Sequence, residues 1–273
     1  MTVYNKQDIE ILVSTMNKRS LDFLIPMFPF SHFSHFSILV INQTDKDCLL
    51  HSDYKNVRVL NSFEKGLSKS RNLAINSAIK KICLIADDDV VYSPSFQEDI
   101  VVAFDTMKEA SIITFNHQRK GLLKPQNKSL NLYKHTIKSI YNVVSIEIAF
   151  KLDEIKENKI YFDENFGLGS VFETAEEFLF LRESLKLNLK MYYYPSIIVT
   201  HPTLCSGEYH GDNKLVFARA ALFYKTRGII AYLWLVKYIY FLVSNNYIAF
   251  NECFMKYKTG YLGIKKYKCI NEN

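Results

Sequence analysis

Four short aliphatic, β-branched runs set the pattern of the N-terminal part of the chain: Ile9–Ser14 (IEILVS), Ser37–Asn42 (SILVIN), Val57–Leu60 and Ile82–Ala86 (ICLIA). Runs this short and this apolar predict strands buried on both faces. Between them, Lys18–Phe28 predicts a helix stopped by Pro29. Ser70–Ile79 predicts a second helix, with Ala74, Ala78, Ile75 and Ile79 forming an apolar stripe. Strands alternating with helices imply a parallel sheet covered on both faces, with ligands bound beyond the carboxyl ends of its strands. Ser14–Asn17 and Asp87–Asp89 fall at such ends.

The rest of the chain is less regular. Ser95–Met107 and Thr174–Leu187 read as helices, and Asn142–Phe150 as a strand. Met191–Tyr194 and Ile197–Thr200 read as strands split by Pro195. Residues 29–37 connect into the second strand, residues 121–131 and 161–170 are loops, and there is no internal repeat.

The 273 residues are 48% hydrophobic and 23% charged, which excludes a disordered or fibrous chain and allows a real core. The net charge of +6 resides entirely in residues 206–273; the remainder is balanced. A locally basic face is expected, and nucleic acid is not an expected partner. Five widely spaced cysteines form neither a disulfide framework nor a zinc motif, which fits a reducing compartment. The first twenty residues lack the pattern of a signal peptide, so a cytoplasmic location is expected. Residues 229–243 (IIAYLWLVKYIYFLV) are apolar but interrupted by Lys237. They read as a helix that either lies in a membrane interface or packs in the core, short of the roughly 20 apolar residues of a spanning helix.

Four features carry chemistry. Asp87-Asp88-Asp89 places three mutually repelling carboxylates after a buried strand, an arrangement that a hard cation or solvation would relieve. Gly66-Leu67-Ser68-Lys69-Ser70-Arg71-Asn72 leads a glycine turn into a helix N-terminus, which suits an anion or an ordinary cap at Ser68 or Ser70. Glu176-Glu177 opens a helix behind Gly167-Leu168-Gly169, as a catalytic base or as favourable first-turn charge. His201 follows the final strand as a metal ligand or a structural histidine.

In this order, VSTMNKR (13–19), GLSKSRNLAI (66–75), ADDDVVYSP (86–94), FDENFGLG (162–169), AEEFLFLRESLKLNLKMYYYP (175–195) and THP (200–202) resemble the family 2 glycosyltransferases. The resemblance implies a GT-A, Rossmann-like α/β fold: a mostly parallel sheet flanked by helices over residues 1–205, with a basic, aromatic helical extension over 206–273. It implies that Thr15 and Asn17 cradle the nucleotide and that Arg71 and Asn72 contact base or diphosphate. Asp87 and Asp88 would meet the donor, while Asp87, Asp89 and His201 would hold Mg²⁺ or Mn²⁺. Glu177, or its neighbour Glu176, would be the catalytic base. The family's base-reading Asp at the end of the second strand is replaced here by Asn42 or Asp45, and its ED pair by EE.

The expected activity is inverting transfer of a sugar from a nucleoside diphosphate sugar, first of all a UDP-sugar, to an acceptor hydroxyl in bacterial surface polysaccharide synthesis. The acceptor would be a saccharide or a lipid-linked saccharide, and the location cytoplasmic or peripheral on the inner membrane face. The aromatic C-terminal surface could equally serve a homodimer. A non-catalytic sugar-nucleotide-binding relative is the alternative. A sugar nucleotidyltransferase ranks lower, since residues 13–19 contain no glycine.

Overall fold

The computed structural model describes residues 3–119, 129–201 and 210–271. Pro202, Cys205 and most of the 121–131 loop lie outside the described residues. The chain runs β1 (Ile9–Met16), β2 (Ile38–Gln43), β3 (Val57–Ser62), α1 (Leu67–Ser77), β4 (Ile82–Asp87), β5 (Val91–Tyr92), α2 (Phe96–Thr106) and β6 (Ile112–Arg119). It continues β7 (Tyr133–Lys134), β8 (Ile148–Lys151), α3 (Leu152–Glu157), α4 (Glu176–Lys186), β9 (Met191–His201), α5 (Asn213–Arg227), α6 (Ala231–Ser244) and α7 (Cys253–Asn271).

Among the described residues the strands form one nine-stranded sheet in the order β3-β2-β1-β4-β8-β6-β9-β5, with β7 also on β9. The β3-β2-β1-β4 half is parallel throughout, as the alternation of strands and helices requires. Beyond it β8 runs antiparallel to both β4 and β6, so the sheet is mixed. Every residue of β2 is buried, and Ile82–Ala86 of β4 likewise. Each aliphatic side chain buried this way contributes about 1.5–3 kcal/mol. Below the sheet, the 29–37 connection adds Phe36 to a ring cluster: Phe28 stacks on Phe36 at 4.6 Å and on Tyr92 at 5.2 Å.

Four local expectations are corrected. Lys18–Phe28 is not an α-helix; only Leu21–Leu24 forms a 3-10 turn. Pro26 interrupts the segment, lacking an N–H and clashing with the carbonyl four residues back. Asn142 ends one 3-10 turn and Ser145–Glu147 forms another, and only Ile148–Lys151 of the expected strand forms β8. The two strands thought to be split at Pro195 are one, β9, whose register on β6 shifts opposite Asn116. Residues 194–196 have no partner on β6, and a proline is tolerated at such an irregularity. Neither Ser68 nor Ser70 caps α1; Gly66 is the N-cap, at φ 126°, in the region that favours glycine. The sequence reading leaves β6 unassigned.

The chain packs as two units, and they differ from a single cut at residue 205. Asp163–Glu176 belongs with α5, α6 and α7, while Glu177 begins the return to the sheet unit. The reason is aromatic. Phe172 stacks on Phe217 of α5 at 5.5 Å, and Phe166 and Phe172 both lie against Tyr267 of α7. Lys225 reaches Asp163 at 2.9 Å. Burial works against the Lys225 charge, but this carboxylate outweighs it and holds the ammonium above its ordinary range. In the same unit α7 carries two glycine notches. A Cβ at Gly263 would stand 2.1 Å from the Phe217 carbonyl oxygen, and one at Gly260 would stand 2.4 Å from a methyl of Leu235.

Candidate functional site

The candidate site lies at the carboxyl ends of the parallel strands, where β1 and β4 are in register with Ser14 beside Asp87. The three aspartates leave β4 toward three different partners. Asp87 accepts from Arg71 Nη2 at 3.1 Å. Asp88 accepts from the Thr15 hydroxyl and pairs with Lys18 Nζ at 3.0 Å. Asp89 Oδ1 faces His201 Nε2 at 3.6 Å. Burial raises the Asp89 carboxyl above the ordinary range; His201 opposes this, and the charges of Asp87 and Asp88 reinforce it.

Arg71, the fifth residue of α1, is buried. A second bond, from Nη2 to the Ser145 hydroxyl at 2.9 Å, and the Phe162 ring 5.5 Å from Cζ fix its guanidinium. Ser145 is itself held by the turn before β8. Glu147 Oε2 accepts from the Val144 N–H at 3.2 Å, and its Oε1 meets His117 Nδ1 at 2.8 Å. Burial pushes the Glu147 carboxyl up, with the His117 contact opposing it. A relay therefore runs from β6 through the 145–147 turn and Arg71 to Asp87.

Two of the three asparagines named for ligand contact, Asn42 and Asn72, face inward. Asn42 is fully buried: its Oδ1 accepts from the Lys18 N–H at 3.0 Å, and its Nδ2 donates to the Lys18 carbonyl and to Asn61 Oδ1. It fixes the segment that carries Lys18 to Asp88. Asn72 exchanges both amide bonds with the Phe162 backbone, at 2.9 and 2.8 Å. It anchors the entry to the FDENFG loop. Asn17, by contrast, is exposed at φ 54°, with its N–H on the Gln43 carbonyl. Gln43 Oε1 in turn accepts from the Gly66 N–H at 2.7 Å, tying the approach to α1 to the end of β2.

Glu176 and Glu177 open α4 after Ala175, which stands at φ 65°. Phe180 seats the helix, 4.5 Å from Phe162 and 6.0 Å from Phe150 of β8, the neighbour of β4. Glu176 is buried and Glu177 half-buried, so Glu177 is the more reachable carboxylate. The sequence reading assigns no role to Lys18 or Ser145; a basic residue two positions beyond the β1 end is the available signal for Lys18.

Among the described residues no three His, Cys, Asp or Glu side chains gather into a metal-holding group. Of the expected trio, Asp87 is turned to Arg71, while Asp89 and His201 face each other. That pair still fits a hard divalent cation as a half-site. It offers one oxygen and one nitrogen 3.6 Å apart, against about 3 Å between adjacent ligands of an octahedral ion. Substrate phosphate oxygens commonly supply the remaining positions.

No protein-family model and no curated protein matches the chain. Solved structures do. The crystal structure of S. aureus TarS superposes with a TM-score of 0.54 at 17% identity, over 85% of this chain and 42% of that one. This chain therefore spans less than half the length of that TarS structure. S. aureus TarS 1-349 matches with a TM-score of 0.56 at 17% identity, over 95% of this chain and 91% of that one. The structure of TarS 1-349 in complex with UDP-GlcNAc matches with a TM-score of 0.55 at 16% identity, over the same shares. The α/β fold with its C-terminal helices is thus the fold of S. aureus TarS.

Proposed function

We propose that the chain is an inverting glycosyltransferase that moves a sugar from a nucleoside diphosphate sugar to an acceptor hydroxyl. The observation that carries the reading is the strand-end cluster: Asp88 held by Thr15 and Lys18, Asp87 by Arg71, and Asp89 beside His201. Carboxylates, two cations and a half-complete metal site at the ends of parallel strands suit a diphosphate and its ribose. A UDP-sugar is the first choice of donor, supported by the likeness to a protein seen with UDP-GlcNAc.

In this reading Glu177 removes the proton from the acceptor hydroxyl. The acceptor oxygen bonds to the anomeric carbon as the bond from that carbon to the diphosphate oxygen breaks. The nucleoside diphosphate leaves with the electron pair, and the anomeric configuration inverts. Arg71 and Lys18 would meet the charge that develops on the leaving diphosphate. Mg²⁺ or Mn²⁺, held by Asp89 and His201, would neutralise that charge when bound. The acceptor would be a saccharide or lipid-linked saccharide of a bacterial surface polysaccharide, met at the inner face of the cell membrane.

Calorimetric titration with UDP, GDP, CDP and dTDP, each with and without Mn²⁺, tests the site. One nucleotide should bind tightly only with the metal, and Asp89→Asn should weaken it at least tenfold. Well-folded protein that binds none of the four sinks the reading.

A further inference from the structure

The helical unit buries one face of α6 and leaves an equally apolar face in water. Ala231, Leu235, Tyr238, Ile239 and Leu242 form the buried side. On the other side Ile229, Leu233, Val236 and Tyr240 follow at spacings of four, three and four, and they are 79%, 76%, 57% and 74% exposed. A helix facing only water carries polar residues there. α7 runs antiparallel beside it, placed by the Tyr232–Tyr261 ring contact at 6.1 Å and by Leu235 against Gly260. Its own outward face mixes Phe254, Met255, Tyr261 and Leu262 with Lys258, Lys265 and Lys266.

Neither α6 nor α7 contains an Asp or a Glu. Of their lysines, Lys256 is internal, bonded to the Gly211 carbonyl and to Asn213. The others surround or interleave the apolar side chains. This is the composition of a helix pair that lies in a membrane interface: an apolar stripe, aromatic rings and lysines with no acidic residue in either helix.

We infer that the outward face of α6 and α7 binds the surface of an anionic phospholipid bilayer. It gives the membrane-face location a specific surface and rests on no step of the transfer chemistry, so either can fail alone. A second copy of the chain is the less suitable occupant, because two such faces would bring lysines against lysines. Spanning is also disfavoured by the geometry. The helical run Asn213–Ser244 is long and apolar enough by composition, but Gly228 at φ 61° breaks it between α5 and α6. The 14 residues of α6 measure about 21 Å, short of a hydrocarbon core of about 30 Å. Its inner side is already committed to the unit's own core.

The test is flotation of the full chain with vesicles of phosphatidylcholine, with and without phosphatidylglycerol. The protein should float with the anionic vesicles and stay below with the neutral ones. The triple change Lys258→Gln, Lys265→Gln, Lys266→Gln should weaken partitioning about a hundredfold, at roughly fivefold per charge. Leu233→Ser, Val236→Ser and Tyr240→Ser together should weaken it at least as much. Thermal unfolding and nucleotide binding of both variants should match the parent, since none of these side chains is buried. Protein that stays below anionic vesicles overturns the inference, as does an apolar-stripe variant that floats like the parent. A concentration-dependent dimer that the stripe variant abolishes, without flotation, assigns the face to a second copy and equally overturns it.

Discussion

Asp87, Asp88 and Asp89 are adjacent in sequence, yet each answers to a different element: α1, β1 and its following loop, and β9. A run of like charges persists there because the backbone at a strand end fans the side chains apart and each finds an opposing group. The same logic separates the two glutamates of α4. Glu177→Gln should lower the transfer rate about a hundredfold or more while leaving nucleotide affinity within a few-fold. Glu176 is buried and engaged, so Glu176→Gln should instead lower stability by about 1–2 kcal/mol. Single-turnover transfer and thermal melts on both variants separate the roles. His135 gives a pH signature: burial pulls its pKa down from 6.5 to about 4. The unfolded chain therefore binds a proton that the folded chain refuses across that interval. Stability is complete above pH 6.5 and declines by about 3 kcal/mol as pH falls toward 4. His135→Gln should flatten that slope in melts taken across the interval. From sequence alone the acidic run and its strand were legible, because both are local. That Asn42 and Asn72 bond to backbone was not, because their partners Lys18, Asn61 and Phe162 come together only in the fold.

At the scale of elements, short uninterrupted apolar runs were read correctly as strands, and β1, β2 and β4 sit where the pattern put them. Prolines misled in both directions. Pro26 was passed over inside a segment that therefore never becomes a helix, and Pro195 was given the power to end a strand that an irregular register lets through. In the helical unit the decisive residues are glycines rather than prolines. Gly263→Ala drives a methyl into the Phe217 carbonyl, and neither helix backbone can yield cheaply. Gly260→Ala meets only the flexible end of Leu235. Thermal unfolding should show a loss of about 1–3 kcal/mol for Gly263→Ala and a smaller one for Gly260→Ala. Equal losses would mean that α5 and α7 are free to slide apart.

At the scale of the whole molecule, the shift in charge and aromatic content near residue 205 signalled the C-terminal helices. It gave no hint that Asp163–Glu176 joins them, since that allegiance rests on Phe166, Phe172 and Asp163 meeting Tyr267, Phe217 and Lys225. Deleting everything after residue 205 should therefore leave a sheet unit that still binds nucleotide but transfers poorly. The loop leading into Glu177 would have lost every one of these packing partners. Nucleotide titration and transfer assays on the shortened chain check this, and full transfer would show the loop to be self-supporting. The division of labour also has a temporal side. During synthesis the sheet can form as it emerges, but the glycine-rich loop waits for α5 and then α7. A nascent chain can thus have its strand-end carboxylates in place while the 163–176 segment still waits for the aromatic partners that α5 and α7 supply.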